Sequence, residues 1–365
     1  MMANKWQTFF LLVLTLPIMG HVVLLPFAIE LAGRDSWMSA LFSFPIGCLF
    51  IYSIYKLRLK YKKKYVHDSL HHLLGPVMTK VTTGFFLVYF FFLAILSLAA
   101  VTEMVRAGFL VGTPFFVIVL IFLLLSMYGA TKTVKGIALT AGILFFTVMF
   151  TGHSITFINF PERDLNDLLP LLENGWKPVW LGTMLFSTTW IEALFLIVIP
   201  IENIREKRFL FVWFLSVLAN ITMMLSTLSG AIMTFGLGQA ESFTHPALEI
   251  VRIVNLNFID RLDVYAVILM TFGSYIRCSL FIKISHRQAR NLFNIEHKWI
   301  SLGLFLLISI LIGVIAYFIG ETRIHFESGL IAYAYTIVLY PLPFILLLIA
   351  WLRQRRKIKE KPNAS

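Results

Sequence analysis

Cysteine is nearly absent from this 365-residue chain, which has only Cys48 and Cys278. A disulfide framework and a cysteine-ligated zinc module are therefore excluded. Charge is scarce too: Asp, Glu, Lys and Arg make up 14% of the residues, against roughly 25% in soluble domains. Acids are the rarer sign, with 19 Asp and Glu beside 31 Lys and Arg and a net charge of +12. GxSxG, HExxH and a phosphate-binding loop are all missing, and the GLG at 236–238 lacks the strand and the Lys that such a loop needs. His67, His71 and His72 cluster with a single acid, Asp68, and read as an interfacial helix rather than a metal site. Catalysis has no support here, and no cofactor or metal is implied.

Hydrophobic residues fill what is left, at 59% of the chain with a mean hydropathy of +0.83. A helix crossing the hydrocarbon core takes about 20 apolar residues. A water-free core admits only helices or closed barrels, and these apolar runs are too long for alternating barrel strands. The expected class is an all-α polytopic membrane protein with about ten transmembrane helices.

Apolar runs bounded by charge, Gly and Pro place the spans near 8–29, 38–55, 81–101, 114–128, 137–158, 178–201, 209–235, 262–284, 300–319 and 330–351. The first run is too long for a signal-peptide core and is followed by Glu30 and Arg34, so it counts as a span. On this topology 22 Lys and Arg fall on the side of the N-terminus and seven on the other. The positive-inside bias then puts both termini in the cytoplasm. The basic stretch Lys56 to Lys64 sits directly against a span, which favours anionic lipid headgroups over nucleic acid as its partner.

The expected organisation is one membrane domain over 1–351 and a basic cytoplasmic tail over 352–365. A transporter-like architecture divides the domain into repeats of five spans, about 8–158 and 178–351. An odd number of spans inverts the second repeat. Outer segments about 159–177 and 236–260 carry apolar residues at helical spacing and suggest cap helices, either lids or plain connectors.

In such folds the binding site lies where the first helix of each repeat is interrupted. Span one contains Pro17, Gly20, His21 and Pro26, and span six contains Gly182, Ser187, Thr188, Thr189 and Pro200. Discontinuities are expected in helices 1 and 6, although Pro, Gly and back-bonded Ser or Thr are also ordinary in membrane helices. Glu192 stands in the middle of span six, where an ionised carboxylate costs about 3 kcal/mol on insertion scales and calls for an interior partner. Thr188 and Thr189 share its helix face. It is either a ligand-amine or proton site, or a structural carboxylate between helices. Arg277 in span eight, with Gly273 and Ser274 on its face, is suited to binding a carboxylate, pairing with Glu192, or holding backbone carbonyls of a broken helix. Lys283 is expected to snorkel, and Asn220 to hydrogen-bond between helices.

The segments GHVVLLP at 20–26, DLNDLLPLLENGWKPVWLG at 164–182, WIEALFLIVIP at 190–200, THPALEIVRIVNLNFIDRLD at 244–263 and SLFIKIS at 279–285 carry a resemblance. Together they resemble the B subunits of spore germinant receptors, within the amino acid, polyamine and organocation permease superfamily. The resemblance spans essentially the whole chain. It implies a five-plus-five inverted repeat like that of the sodium-coupled leucine transporter, in the inner membrane of a dormant spore. The implied partners are an A subunit and a C-subunit lipoprotein, and the implied ligand is a small germinant such as an amino acid. Carried over by position, the ligand-binding set is Gly20, His21, Thr188, Thr189, Glu192, Gly273, Ser274 and Arg277. Two departures concern the pocket itself: Ser187 to Thr189 stand where the family usually has Gly, and Arg277 where a smaller or lysine side chain is common.

Overall fold

The computed structural model describes residues 2–60, 66–253 and 263–359, excepting the side chains of residues 21–22, 66–74, 263–266, 269, 323 and 353–359. Helices dominate, and among the described residues the β pairing is one bridge, Ala3 to Ile201. The helices are α1 (Lys5–Thr15), α2 (Leu24–Ala32), α3 (Ser36–Lys60), α4 (Val66–Gly108), α5 (Phe115–Thr131), α6 (Val134–Ile158) and α7 (Trp176–Ile191). They continue as α8 (Phe195–Val198), α9 (Phe209–Ser242), α10 (Pro246–Ile253), α11 (Asp263–Leu292), α12 (Lys298–Glu321), α13 (Arg323–Ala334) and α14 (Leu342–Lys359). Seven helical stretches among the described residues are long and apolar enough to cross a bilayer. The α1–α2, α5 and α11 segments bring the packed spans to ten, each on one of the ten apolar runs.

Packing exposes an internal symmetry. Span two (α3) lies along span six (α7), and span one (α1) lies in the same way along span seven (α9). Span four (α5) packs on span eight (α11) as span nine (α12) packs on span three (α4), and α4 and α11 run along each other at the centre. Exchanging each span with the one five places later maps these contacts onto themselves, as an inverted five-plus-five repeat requires.

Both leading helices of the repeats are interrupted, in different ways. α1 stops at Thr15, and Pro17, which has no N–H, leaves the Val13 carbonyl without its helical donor. The chain resumes as a π-helical turn over Met19–Val23 before α2. Helix six does not unwind. It tightens into a 3-10 turn over Glu192–Leu194 between α7 and α8, after the hydroxyls of Ser187, Thr188 and Thr189 have bonded back to the carbonyls of Thr183, Leu185 and Phe186. Such back-bonding bends helices. Gly182 serves close packing rather than the break: a Cβ there would meet the Ser39 hydroxyl and stand 2.8 Å from Ser39 Cβ on α3.

Several expectations change. Segment 159–177 forms no cap helix but two 3-10 turns, Phe160–Glu162 and Leu165–Leu168, because Pro161 and Pro170 cannot donate to a continuing helix. Segment 236–260 holds α10 as a cap, and its residues 254–260 lie outside the described residues. Lys283 donates to the Ala130 carbonyl near the C-terminal end of α5 at 3.0 Å. Asn220 bonds within its own helix, to the Ser216 carbonyl at 2.7 Å. The side chains of His67, His71 and His72 lie outside the described residues, as do Arg261 and the side chain of Asp263.

The end of the bundle carrying the N-terminus is tied together by backbone and arginine contacts among the described residues. Ala3 exchanges backbone bonds with Pro200 and Glu202 at 3.0 and 2.8 Å, and Lys5 pairs with Glu206. Buried Arg58 donates to the carbonyls of Leu196 and Ile199, and Arg287 to that of Val198, at the C-terminal end of α8. Gly182→Leu is expected to lower the unfolding midpoint through overpacking of about 1–3 kcal/mol. Gly303→Ala, with open space at its Cβ position on α12, is expected to leave it unchanged or raised. Thermal unfolding in detergent reads both, and a wild-type midpoint for Gly182→Leu would contradict the close α3–α7 contact.

Candidate functional site

Glu192 begins the 3-10 turn of helix six and is fully buried, so its carboxylate needs donors from other helices. Arg277, equally buried on α11, supplies them as a fork: Nη2 donates to Oε1 at 2.7 Å and Nη1 to Oε2. Tyr333 on α13 adds a third bond, from its hydroxyl to Oε1 at 2.6 Å. The remaining donors of Arg277 are also used. Nε reaches the Ser97 hydroxyl on α4 at 2.5 Å, and Nη1 reaches the Thr15 carbonyl at 2.9 Å. That carbonyl is available because α1 has just ended. The face of the guanidinium lies over Phe281, 5.0 Å from the ring centre, a cation–π contact of the kind favoured by Arg.

One N–H on Nε, two on Nη1 and one on Nη2 are thus engaged, four of the five that a guanidinium has. The hub draws on spans one, three, six, eight and ten, and it joins the break of helix one to the break of helix six. In low dielectric such a bidentate pair is held strongly, provided both partners remain.

The other residues singled out by the sequence surround this hub without joining it. Gly20 lies in the π-helical turn, where a Cβ would press on the Met224 side chain of α9. The backbone of His21 is in the same turn, while its side chain lies outside the described residues. Thr188 and Thr189 are buried one turn before Glu192, with their hydroxyl hydrogens committed to their own helix. Gly273 lets α11 approach α1, its Cβ position standing 3.1 Å from the Leu14 carbonyl oxygen. Ser274 is buried beside it. Tyr333, Ser97 and the Thr15 carbonyl escape sequence reading: a Tyr in an aromatic-rich last span and a Ser among apolar neighbours look like any others, and a backbone carbonyl has no sequence signal.

On the side away from the N-terminus, a cavity of about 270 Å³ adjoins the same break, lined by Leu14, Pro17, Ile18 and Gly273 together with residues of α6, α9 and α10. Of the expected ligand-binding residues whose side chains are described, Gly273 alone lines it.

Removing one hub partner leaves an uncompensated buried charge. Arg277→Met is expected to destabilise the fold by about 3–5 kcal/mol, while Glu192→Gln combined with Arg277→Met recovers much of the loss. A double-mutant cycle of unfolding midpoints reads the coupling, and additive single and double effects would contradict the pair.

Comparison with known proteins agrees with this architecture. The chain is 26% identical over 301 residues to spore germination protein XB of Bacillus anthracis, covering 80% of this chain and 83% of that one. It is 23% identical over 342 residues to spore germination protein KB of Bacillus subtilis (strain 168), covering 90% of each. Among solved structures, a sodium-coupled sialic acid symporter in its substrate-bound, outward-open state superposes with a TM-score of 0.63 at 13% identity, over 95% of this chain and 78% of that one. That likeness is one of fold, the leucine-transporter arrangement of two inverted five-helix repeats with discontinuous first and sixth helices. The sequence profile described as "Spore germination protein" matches residues 3–324, and the chain belongs to that family of multi-pass membrane proteins.

Proposed function

We propose that this chain is the B-type membrane subunit of a spore germinant receptor, which binds a small germinant and passes the event to partner subunits. The observation that carries the reading is the buried Glu192–Arg277 pair, because it ties together the two helix breaks at which folds of this kind receive their ligands. A zwitterionic amino acid supplies a replacement for each partner: its carboxylate for Arg277, its ammonium for Glu192. Thr188, Thr189, Gly20, His21, Gly273 and Ser274 then form the surroundings of the opened site. With no ligand, the two side chains satisfy each other and the site stays shut. Occupancy shifts the population from shut to open.

The family membership and the relatives named for spore germination support placing the protein in the spore inner membrane, in a complex with an A subunit and a C-subunit lipoprotein. The 22-to-7 distribution of Lys and Arg supports cytoplasmic termini and contact of the basic inner loop with anionic headgroups. Residues 1–351 act as one membrane domain of two repeats. With no separate soluble domain in this stretch, the signal leaves through helix movement or partner contact. The symporter fold favours one second reading, a proton-coupled amino-acid permease in which Glu192 titrates.

In spores carrying Glu192→Gln, germinant response is expected to fall at least tenfold in sensitivity while the protein remains in the membrane. A wild-type dose response in that variant would remove Glu192 from the site. Uptake of labelled amino acid by the purified chain alone in vesicles would favour the permease.

A further inference from the structure

The cavity beside the α1 break has walls chiefly of hydrocarbon, among them Val13, Leu14, Ile18, Val148, Ile250 and Met270. His153 on α6 and Thr222 on α9, both exposed, are also in its lining. Its volume, about 270 Å³, is at the small end of ligand sites. The polar groups include the hydroxyls of Thr156 and Ser226, 2.9 Å apart, and one fixed charge, Arg163.

The position of Arg163 is prepared by the fold. One turn beyond Ser226 on α9, Gly230 leaves the room the guanidinium occupies: a Cβ there would stand 2.9 Å from Nη2 and 3.2 Å from Cζ. Arg163 Nε is buried without a hydrogen-bond partner. Among the described residues no Asp or Glu lines the cavity. Burial also draws the Arg163 pKa below the usual arginine value. A half-buried cation with no carboxylate against it among the described residues, at the edge of an apolar chamber, is complementary to an anion with a hydrocarbon body.

We infer that this cavity is a binding site for a small carboxylate with a branched or aromatic hydrocarbon body, the carboxylate held by Arg163 and the body by the wall of α1, α6, α10 and α11. The planar carboxylate matches the guanidinium fork. With no acid among the described wall residues, an ammonium group on the ligand is dispensable. The site is distinct from the hub yet touches it, since Leu14 and Ile18 flank Thr15 and Gly273 lies one turn from Arg277. An occupant therefore bears on the stretch of chain that the Arg277–Thr15 bond holds. The assignment does not depend on the receptor reading, because binding to the purified chain reads it directly.

The test is thermal stabilisation of the full-length protein in detergent by L-leucine, by 4-methylpentanoate (the same body and carboxylate without the amine) and by 3-methylbutylamine (the body and amine without the carboxylate). Saturable upward shifts are expected from the first two and none from the third. Arg163→Gln is expected to weaken binding by about tenfold or more, and Arg163→Lys by less. Gly152→Leu, which adds a side chain in open space at the cavity wall, is expected to abolish the shift while leaving the unliganded midpoint in place, so the test survives poor folding of the Arg163 variants. No shift with either carboxylate, an equal shift with the amine, or wild-type binding by both Arg163→Gln and Gly152→Leu would each overturn the proposal. Stabilisation by palmitate but not by 4-methylpentanoate would overturn it in favour of a lipid chain. Carboxylate binding retained by Glu192→Gln, together with a normal germination response of that variant, would strike only the receptor reading.

Discussion

Glu192 and Arg277 are held together where no water reaches either, and the rest of the bundle is arranged around that constraint. Taking each charge out of water costs several kcal/mol, on the order of what their attraction returns. The pair persists because its remaining lone pairs and protons find Tyr333, Ser97 and the Thr15 carbonyl. With the pair itself these make five groups, from spans one, three, six, eight and ten. One and six, like three and eight, are counterparts in the two repeats, so the pair sits where the pseudosymmetric halves cross. A helix end is ordinarily a liability in an apolar medium, where an unpaired carbonyl has no water to turn to. Here the liability becomes the anchor, since the carbonyl freed by the break of α1 is what Arg277 holds.

The same economy governs the two ends of the bundle. On the side of the N-terminus, the buried carbonyls at the end of α8 are taken by Arg58 and Arg287, cations at a helix C-terminus, and the chain start is stitched across them by Ala3. On the other side α10 roofs a chamber instead of filling it. α10 is tied back by the Arg252 bond to the Gly108 carbonyl at 3.1 Å, by the His245–Glu103 contact at 2.8 Å and by Asn159 on the Ile250 carbonyl at 3.3 Å. The two ends thus differ: tied backbone on the side of the N-terminus, a chamber on the other, and the buried Glu192–Arg277 pair between them.

Several of these features are legible along the chain before any packing is considered. Long apolar runs in a charge-poor chain leave only membrane helices, and the ten runs became ten spans because hydrocarbon forces every backbone group into internal hydrogen bonds. Pro17, Gly20 and Pro26 together marked span one for a break, and of the two prolines it is Pro17 that stands at it, while Pro26 is accommodated in the first turn of α2. Glu192 and Arg277 stood out because charge is costly at those depths. Cap helix α10 was legible from its apolar spacing, whereas 159–177 misled because the same spacing is interrupted by prolines.

Tertiary structure alone decided what those residues do. Sequence left Arg277 open to a ligand, to Glu192 or to a broken helix, and the fold gives it the last two at once, because α11 lies between both breaks. The hydroxyls of Thr188 and Thr189 have the chemistry of ligand contacts, but a helix offers its own carbonyls first, three residues back. Tyr333, Ser97 and Arg163 carried no distinguishing signal along the chain. Their roles come from what stands opposite them, and for Tyr333 and Ser97 those neighbours are 141 and 180 residues away. Local chemistry is written residue by residue, while partnership across a bundle exists only once the helices have packed.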